Sequence, residues 1–132
     1  MLREAVSRLP NDEGLARGAA ALVRKLLGDL RAGVAEPAAL VEGACAGAVG
    51  GLILIDPNRV SEGGAAIVAV ALETTQDFLA PADAVTASLR GVLRVAALAP
   101  EDVQWALKER IGQRFQDIEP IYDSIAASLQ NK

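Results

Sequence analysis

Histidine is absent from the 132 residues of this chain, and cysteine occurs once, at Cys45. Without histidine, neither Ser-His-Asp and Cys-His catalysis nor the common histidine-containing zinc sites can form. A single cysteine excludes an internal disulfide and is typical of a reducing compartment, so we expect a cytoplasmic protein. Cys45 also has no basic neighbour in sequence to lower its pKa, which indicates a structural thiol. These features favour a non-enzymatic role without cofactor or metal ion.

Basic clusters and aromatic residues are also scarce. Thirteen lysines and arginines stand against seventeen aspartates and glutamates, and the longest basic run is Arg24-Lys25. Nucleic-acid binding needs a concentrated basic surface to neutralise phosphates, so this function is disfavoured. Aromatic residues make up only 3% of the chain, although 52% of it is hydrophobic. The core must therefore be built from small aliphatic side chains, which allow helices to pack closely.

Uncharged runs occur, but they are short for a membrane span. The longest covers residues 44–55, whereas roughly 20 apolar residues are needed to cross a bilayer. Membrane attachment is therefore not expected, and this run should form the buried centre of a soluble domain together with residues 65–72. Two buried parallel strands, near residues 51–56 and 65–72, are the alternative. Because alanine supplies four of the eight residues in the second run, helices are favoured over strands.

Five prolines at nearly regular spacing follow an acidic residue or alanine. This context suits the first position of a helix, where the missing N–H costs nothing. They are Pro37, Pro57, Pro81, Pro100 and Pro120. Helical periodicity between residues 11 and 33 adds an earlier helix, and the helix after Pro57 is expected to span residues 61–79. The pattern predicts one domain over residues 1–132, a compact all-α bundle of five to seven helices with a Gly/Ala-rich central pair.

Glycine recurs every four residues in the helix that follows Pro37, at Gly43, Gly47 and Gly51. Each interior glycine costs about 0.5–1 kcal/mol relative to alanine, so the repetition indicates that another backbone approaches closely. The spacing resembles the small-residue seam of membrane helices. Here it predicts helix packing inside a soluble bundle or self-association into a homo-oligomer.

Two pairs of like charges also occur at four-residue spacing. Glu73 and Asp77 form the acidic pair, and Arg90 and Arg94 form the basic pair in the following helix. Like charges at this spacing repel each other. If the two helices are antiparallel neighbours, the four residues form an ion-pair ladder or a small site for a polar ligand or divalent cation. The ladder is the simpler interpretation and would add little stability.

Trp105 is the only tryptophan, and it is offset by two positions from the inward-facing Val103 and Leu107. This offset directs the indole sideways or outward on its helix. An exposed tryptophan is a typical anchor for a protein partner. A boundary position covered by the C-terminal helix fits the pattern equally well.

The function favoured by these features is a non-enzymatic cytoplasmic interaction module. It would be an adaptor or scaffold that binds a protein partner and associates with itself through Gly/Ala-rich helix faces. The alternative is a regulatory or sensor domain that holds a small apolar molecule between its central helices, oriented by Glu73 and Asp77.

Overall fold

The computed structural model describes residues 12–28, 36–77 and 79–130. These residues form six α-helices and one 3₁₀ turn, with no strand among them. They are α1 (Asp12–Leu27), α2 (Pro37–Ile55), the 3₁₀ turn (Pro57–Arg59), α3 (Val60–Thr74), α4 (Pro81–Ala96), α5 (Glu101–Arg114) and α6 (Glu119–Gln130). The all-α prediction is confirmed. The strand alternative is wrong, because residues 51–55 end α2 and residues 65–72 lie within α3.

All five predicted prolines stand at the start of an element. Pro37 and Pro81 are the first residues of α2 and α4, and Pro57 opens the turn that leads into α3. Pro100 immediately precedes α5, and Pro120 is the second residue of α6. Proline suits these positions because the first N–H groups of a helix have no intrahelical acceptor.

Helix α3 lies at the centre of the bundle, where it packs against α1, α2, α4 and α5. Two of its glycines permit these contacts. A Cβ at Gly63 would overlap the side chain of Leu52, and a Cβ at Gly64 would lie 2.6 Å from Cδ1 of Leu107. Eight of the fifteen residues of α3 are buried, so this helix supplies contacts to most of the bundle.

Two helix ends differ from the sequence prediction. Helix α3 ends at Thr74, not near residue 79, and the Thr74 and Thr75 hydroxyls donate hydrogen bonds of 2.8 and 2.7 Å to the carbonyls of Val70 and Ala71. Such side-chain bonds to the backbone compete with continued helix formation. Helix α1 ends at Leu27. The sequence predicted that it continues to residue 33, but residues 29–33 lie outside the described part of the chain.

Helices α2 and α4 form the most extensive helix pair. Gly91 of α4 allows the close approach, because a Cβ there would overlap the carbonyl oxygen of Glu42 and lie 3.0 Å from Cβ of Cys45. Further along, a Cβ at Gly50 would lie 3.9 Å from Cγ1 of Val95. Since both sets of contacts advance along the chain together, α2 and α4 run in the same direction.

The apolar residues at helical spacing after Pro81 and after Pro100 are buried or half-buried. The buried members are Leu89, Val92, Leu93, Ala96, Val103, Leu107, Ile111 and Ile118, and the half-buried ones are Val85 and Phe115. In α6, Tyr122 is buried, whereas its neighbour Ile121, which recurs with Ile125 and Leu129 at four-residue spacing, is exposed. A four-residue spacing did not reveal which of these two neighbours faces inward.

Candidate interaction surfaces

One side of α2 is open and uncharged. It comprises Leu40, Gly43, Gly47, Gly51 and Leu54, which share one face of the helix because they are spaced three or four residues apart. We call these five residues the α2 face. Leu54 is 87% exposed and Leu40 is 47% exposed. The one charged residue within α2, Glu42, is directed toward α4 instead.

The three glycines predicted to mediate helix packing lie on this face. Gly43 and Gly47 are exposed, and Gly51 is half-buried. A Cβ added at any of the three meets no atom within 4 Å. The structure therefore brings no other described helix against them, and the close helix contacts use glycines of α3 and α4 instead. Self-association through the three glycines stays a prediction.

Among the described helices, α2 alone is long and apolar enough to cross a membrane by length and composition. Only 33% of this stretch is buried within the protein. The helix is longer than the uncharged run used for the sequence prediction, because it begins at Pro37 and includes Glu42. Core helices of soluble proteins also meet this criterion, so it assigns no membrane role.

A depression of about 340 Å³ adjoins the α2 face, between the C-terminal end of α1 and the N-terminal half of α2. Leu26 on its rim is 51% exposed. None of the described residues that line it is charged, so it extends the apolar surface sideways. We call it the α1–α2 depression. Its lining consists of Leu26, Leu27, Ala39, Leu40, Gly43 and Ala44.

A groove of about 790 Å³ lies between α5 and α6, beside the C-terminal half of α4. Trp105 of α5 and Tyr122 of α6 line it, together with Leu93 and Ala96 of α4. Trp105 is 64% exposed, whereas Tyr122 is only 6% exposed. The outward orientation predicted for Trp105 is thus present, with the indole at the edge of a groove lined by both apolar and charged residues. A volume of this size holds a small ligand or several side chains of a partner helix.

Two of the titratable residues that line this groove, Lys108 and Tyr122, have raised pKa values. Lys108 and Asp123 form an ion pair of 2.9 Å across it. The hydrogen bond to Asp123 raises the pKa of Lys108, so the ammonium stays charged. Burial, with a smaller contribution from the Asp123 charge, raises the pKa of Tyr122 to about 12. Neither group exchanges a proton near neutral pH, where a general acid or base works best.

Glu42 is a half-buried ion-pair partner that sequence reasoning missed. Its carboxylate accepts from Arg90 at 3.2 Å and from Arg94 at 2.7 Å. The repulsion between the two arginines is therefore offset by one shared carboxylate on α2. A signal was present in the sequence, since a single charge between Pro37 and Ile55 needs a partner if its helix is packed.

The acidic pair lies elsewhere. Glu73 forms an exposed ion pair of 3.2 Å with Arg24 of α1. Asp77 is exposed in the turn that follows α3. The structure thus separates Glu73 from Arg90 and Arg94, and the predicted four-residue ladder does not form. The arginines face α2, which the hypothesis of an α3–α4 ladder did not consider.

The remaining reactive group, Cys45, is buried in α2. Burial raises the pKa of its thiol to about 12, which keeps it protonated and unreactive at neutral pH. Among the described residues, no group of three or more Cys, Asp or Glu side chains is placed to hold a metal ion.

Comparisons with protein-family models, with curated proteins and with solved structures gave no match to this chain. No activity or partner can therefore be transferred from a relative. Function is inferred from the α2 face, the α1–α2 depression and the groove.

Proposed function

We propose that this protein is a non-enzymatic interaction module that self-associates through the α2 face. The supporting observation is that an uncharged helix face remains open to solvent, with Leu54 87% exposed and Leu40 47% exposed. Burying a leucine side chain contributes about 1.5–3 kcal/mol, and contiguous exposed apolar surface is typical of interaction sites.

The glycines of the α2 face support a helix as the contacting element. Each of Gly43, Gly47 and Gly51 lowers helix stability by up to about 1 kcal/mol relative to alanine. No contact within the described bundle compensates for this cost, because nothing lies within 4 Å of a Cβ at these positions. A second helix packed across the face would use the space that the missing side chains leave.

The groove beside Trp105 supplies a second contact surface, as an adaptor requires. A partner helix with apolar side chains would pack against Trp105 while Tyr122 and Leu93 form the base of the contact. Tryptophan is among the residues that most often dominate binding energy at interfaces. This surface lies apart from the α2 face, since none of its lining residues belongs to α2.

A ligand-binding sensor domain is the second candidate function, and the volume of the groove favours it. At about 790 Å³ the groove falls in the range of small-molecule sites. Glu73 and Asp77, which were predicted to orient the ligand, do not line it. Hydrophobic metabolites that bind the folded protein should raise its melting temperature, and Trp105→Ala should abolish that shift.

Sedimentation and light scattering over a wide concentration range test self-association. The wild-type mass should rise toward that of a dimer, and Leu54→Glu should keep the protein monomeric by placing a charge on the α2 face. Ile121→Glu is the matched control, because Ile121 is an exposed apolar residue of α6 and its replacement should leave the dimer intact. A wild-type protein that stays monomeric throughout would overturn the proposal.

A further inference from the structure

We infer that the second copy binds in one register, with the two α2 helices antiparallel about a two-fold axis at Gly47. In this arrangement Leu54 of each copy enters the α1–α2 depression of the other. The inference rests on the proposed self-association and specifies its geometry.

The first supporting observation is the symmetry of the α2 face. Gly43 and Gly51 lie four residues on either side of Gly47, and Leu40 and Leu54 lie seven residues on either side. An antiparallel two-fold pairing through Gly47 therefore places glycine opposite glycine and Leu40 opposite Leu54. Such an interface is isologous, because the same patch is used by both copies.

The second observation concerns the positions of Leu54 and of the α1–α2 depression. Leu54, at the C-terminal end of α2, is 87% exposed, whereas the α1–α2 depression lies at the other end of the helix, beside Leu40. The two sites are fourteen residues apart, or about 21 Å along a helix. A side chain and an apolar depression at opposite ends of one face are complementary only when the second copy runs in the opposite direction.

A parallel pairing also matches glycine with glycine, but it fits the rest of the surface less well. It places Leu54 against Leu54 and leaves the α1–α2 depression uncovered. It also aligns the two helix dipoles, whereas an antiparallel pair sets each positive end beside a negative end. No charged side chain lies on the α2 face to outweigh these preferences, and Glu42 is engaged by Arg90 and Arg94.

Site-directed cross-linking distinguishes the two directions. In a Cys45→Ala background, proteins carrying Leu40→Cys or Leu54→Cys are treated with a short bis-maleimide, separately and as a mixture in which one carries an affinity tag. The antiparallel register predicts several-fold more cross-linked product in the mixture than in either protein alone. Sedimentation of each variant first establishes that it still associates.

A charge pair serves as the second test, because cysteine substitutions can weaken the interface. Leu40→Lys and Leu54→Glu should each be monomeric alone but associate when mixed, since the lysine of one copy then faces the glutamate of the other. Cross-links between Leu40→Cys and Leu40→Cys or between Leu54→Cys and Leu54→Cys, or failure of the two charged variants to associate on mixing, would overturn the register. The proposed function would still stand if the wild-type protein formed dimers. A monomeric wild-type protein would overturn both.

Discussion

Gly91 is a site of close backbone approach between α2 and α4, and its replacement by alanine tests the packing of this helix pair. The new Cβ would overlap the carbonyl oxygen of Glu42 and would lie 3.0 Å from Cβ of Cys45 and 3.1 Å from the backbone nitrogen of Ala46. These atoms belong to the backbone of α2 or are attached directly to it. No side-chain rotation can therefore make room, and the two helices must move apart.

Two opposing effects set the size of the change. Alanine is favoured over glycine in a helix interior by about 0.8–1 kcal/mol. Forcing an extra methyl group into a packed interior typically costs about 1–3 kcal/mol, and contact with rigid backbone belongs at the upper end. We therefore expect Gly91→Ala to lower the free energy of unfolding by about 1–2 kcal/mol. For a domain of this size the melting temperature should fall by about 3–10 °C.

Gly50→Ala is the matched control in the same helix pair. Its Cβ would make an ordinary contact, 3.9 Å from Cγ1 of Val95, so the helix preference for alanine should raise stability by up to about 1 kcal/mol. Urea and thermal unfolding followed by circular dichroism measure both variants. The proposed backbone contact would be refuted if Gly91→Ala were as stable as the wild type.

Three further predictions concern the half-buried Glu42 and the buried Cys45 and Tyr122. Glu42→Gln should lower the free energy of unfolding by about 1 kcal/mol, since two arginines lose their shared carboxylate. Urea unfolding should show a smaller difference between variant and wild type at high salt than at low salt, and a salt-independent difference would contradict the ion-pair explanation. The Cys45 thiol, with its pKa raised to about 12 by burial, should resist alkylation in the folded protein and react in denaturant; rapid labelling of the native state would disprove its burial. Burial raises the pKa of Tyr122 from 10.0 to about 12, so the folded state favours the protonated phenol. The free energy of unfolding should therefore be unaffected by this group below pH 10 and should fall by about 2–3 kcal/mol as the pH rises through 12. Unfolding experiments across this pH range should show a smaller loss for Tyr122→Phe, and equal losses would contradict the raised pKa.

The helix starts could be predicted from sequence because they depend on local chemistry. A proline at the first turn needs no tertiary partner, which is why Pro37 and Pro81 open helices where expected. The end of α3 is also local, since the hydroxyls of Thr74 and Thr75 donate to the carbonyls of Val70 and Ala71, but threonine makes the same bond within continuous helices. Their identity alone therefore did not show that α3 stops five residues short.

The partners of the charged and small residues depend on how each helix is rotated, which sequence spacing does not specify. The sequence hypothesis paired Arg90 and Arg94 with acidic residues of the preceding helix. The close contact at Gly91 instead turns this side of α4 toward α2 and places both arginines beside Glu42. Because α2 turns its Glu42 side toward α4, Gly47 on another side of α2 points away from the described bundle. Periodicity identified a small-residue face correctly but could not show what covers it.

The only tryptophan and the only tyrosine of this chain both line the α5–α6 groove. Intrinsic fluorescence therefore reports almost entirely on one region of the molecule. Occupation of the groove should shift the emission of Trp105 without any attached dye, whereas pairing through the α2 face, which carries no indole or phenol, should leave the spectrum unchanged. The emission wavelength and the molecular mass of one unlabelled sample can thus distinguish binding in the groove from pairing through the α2 face.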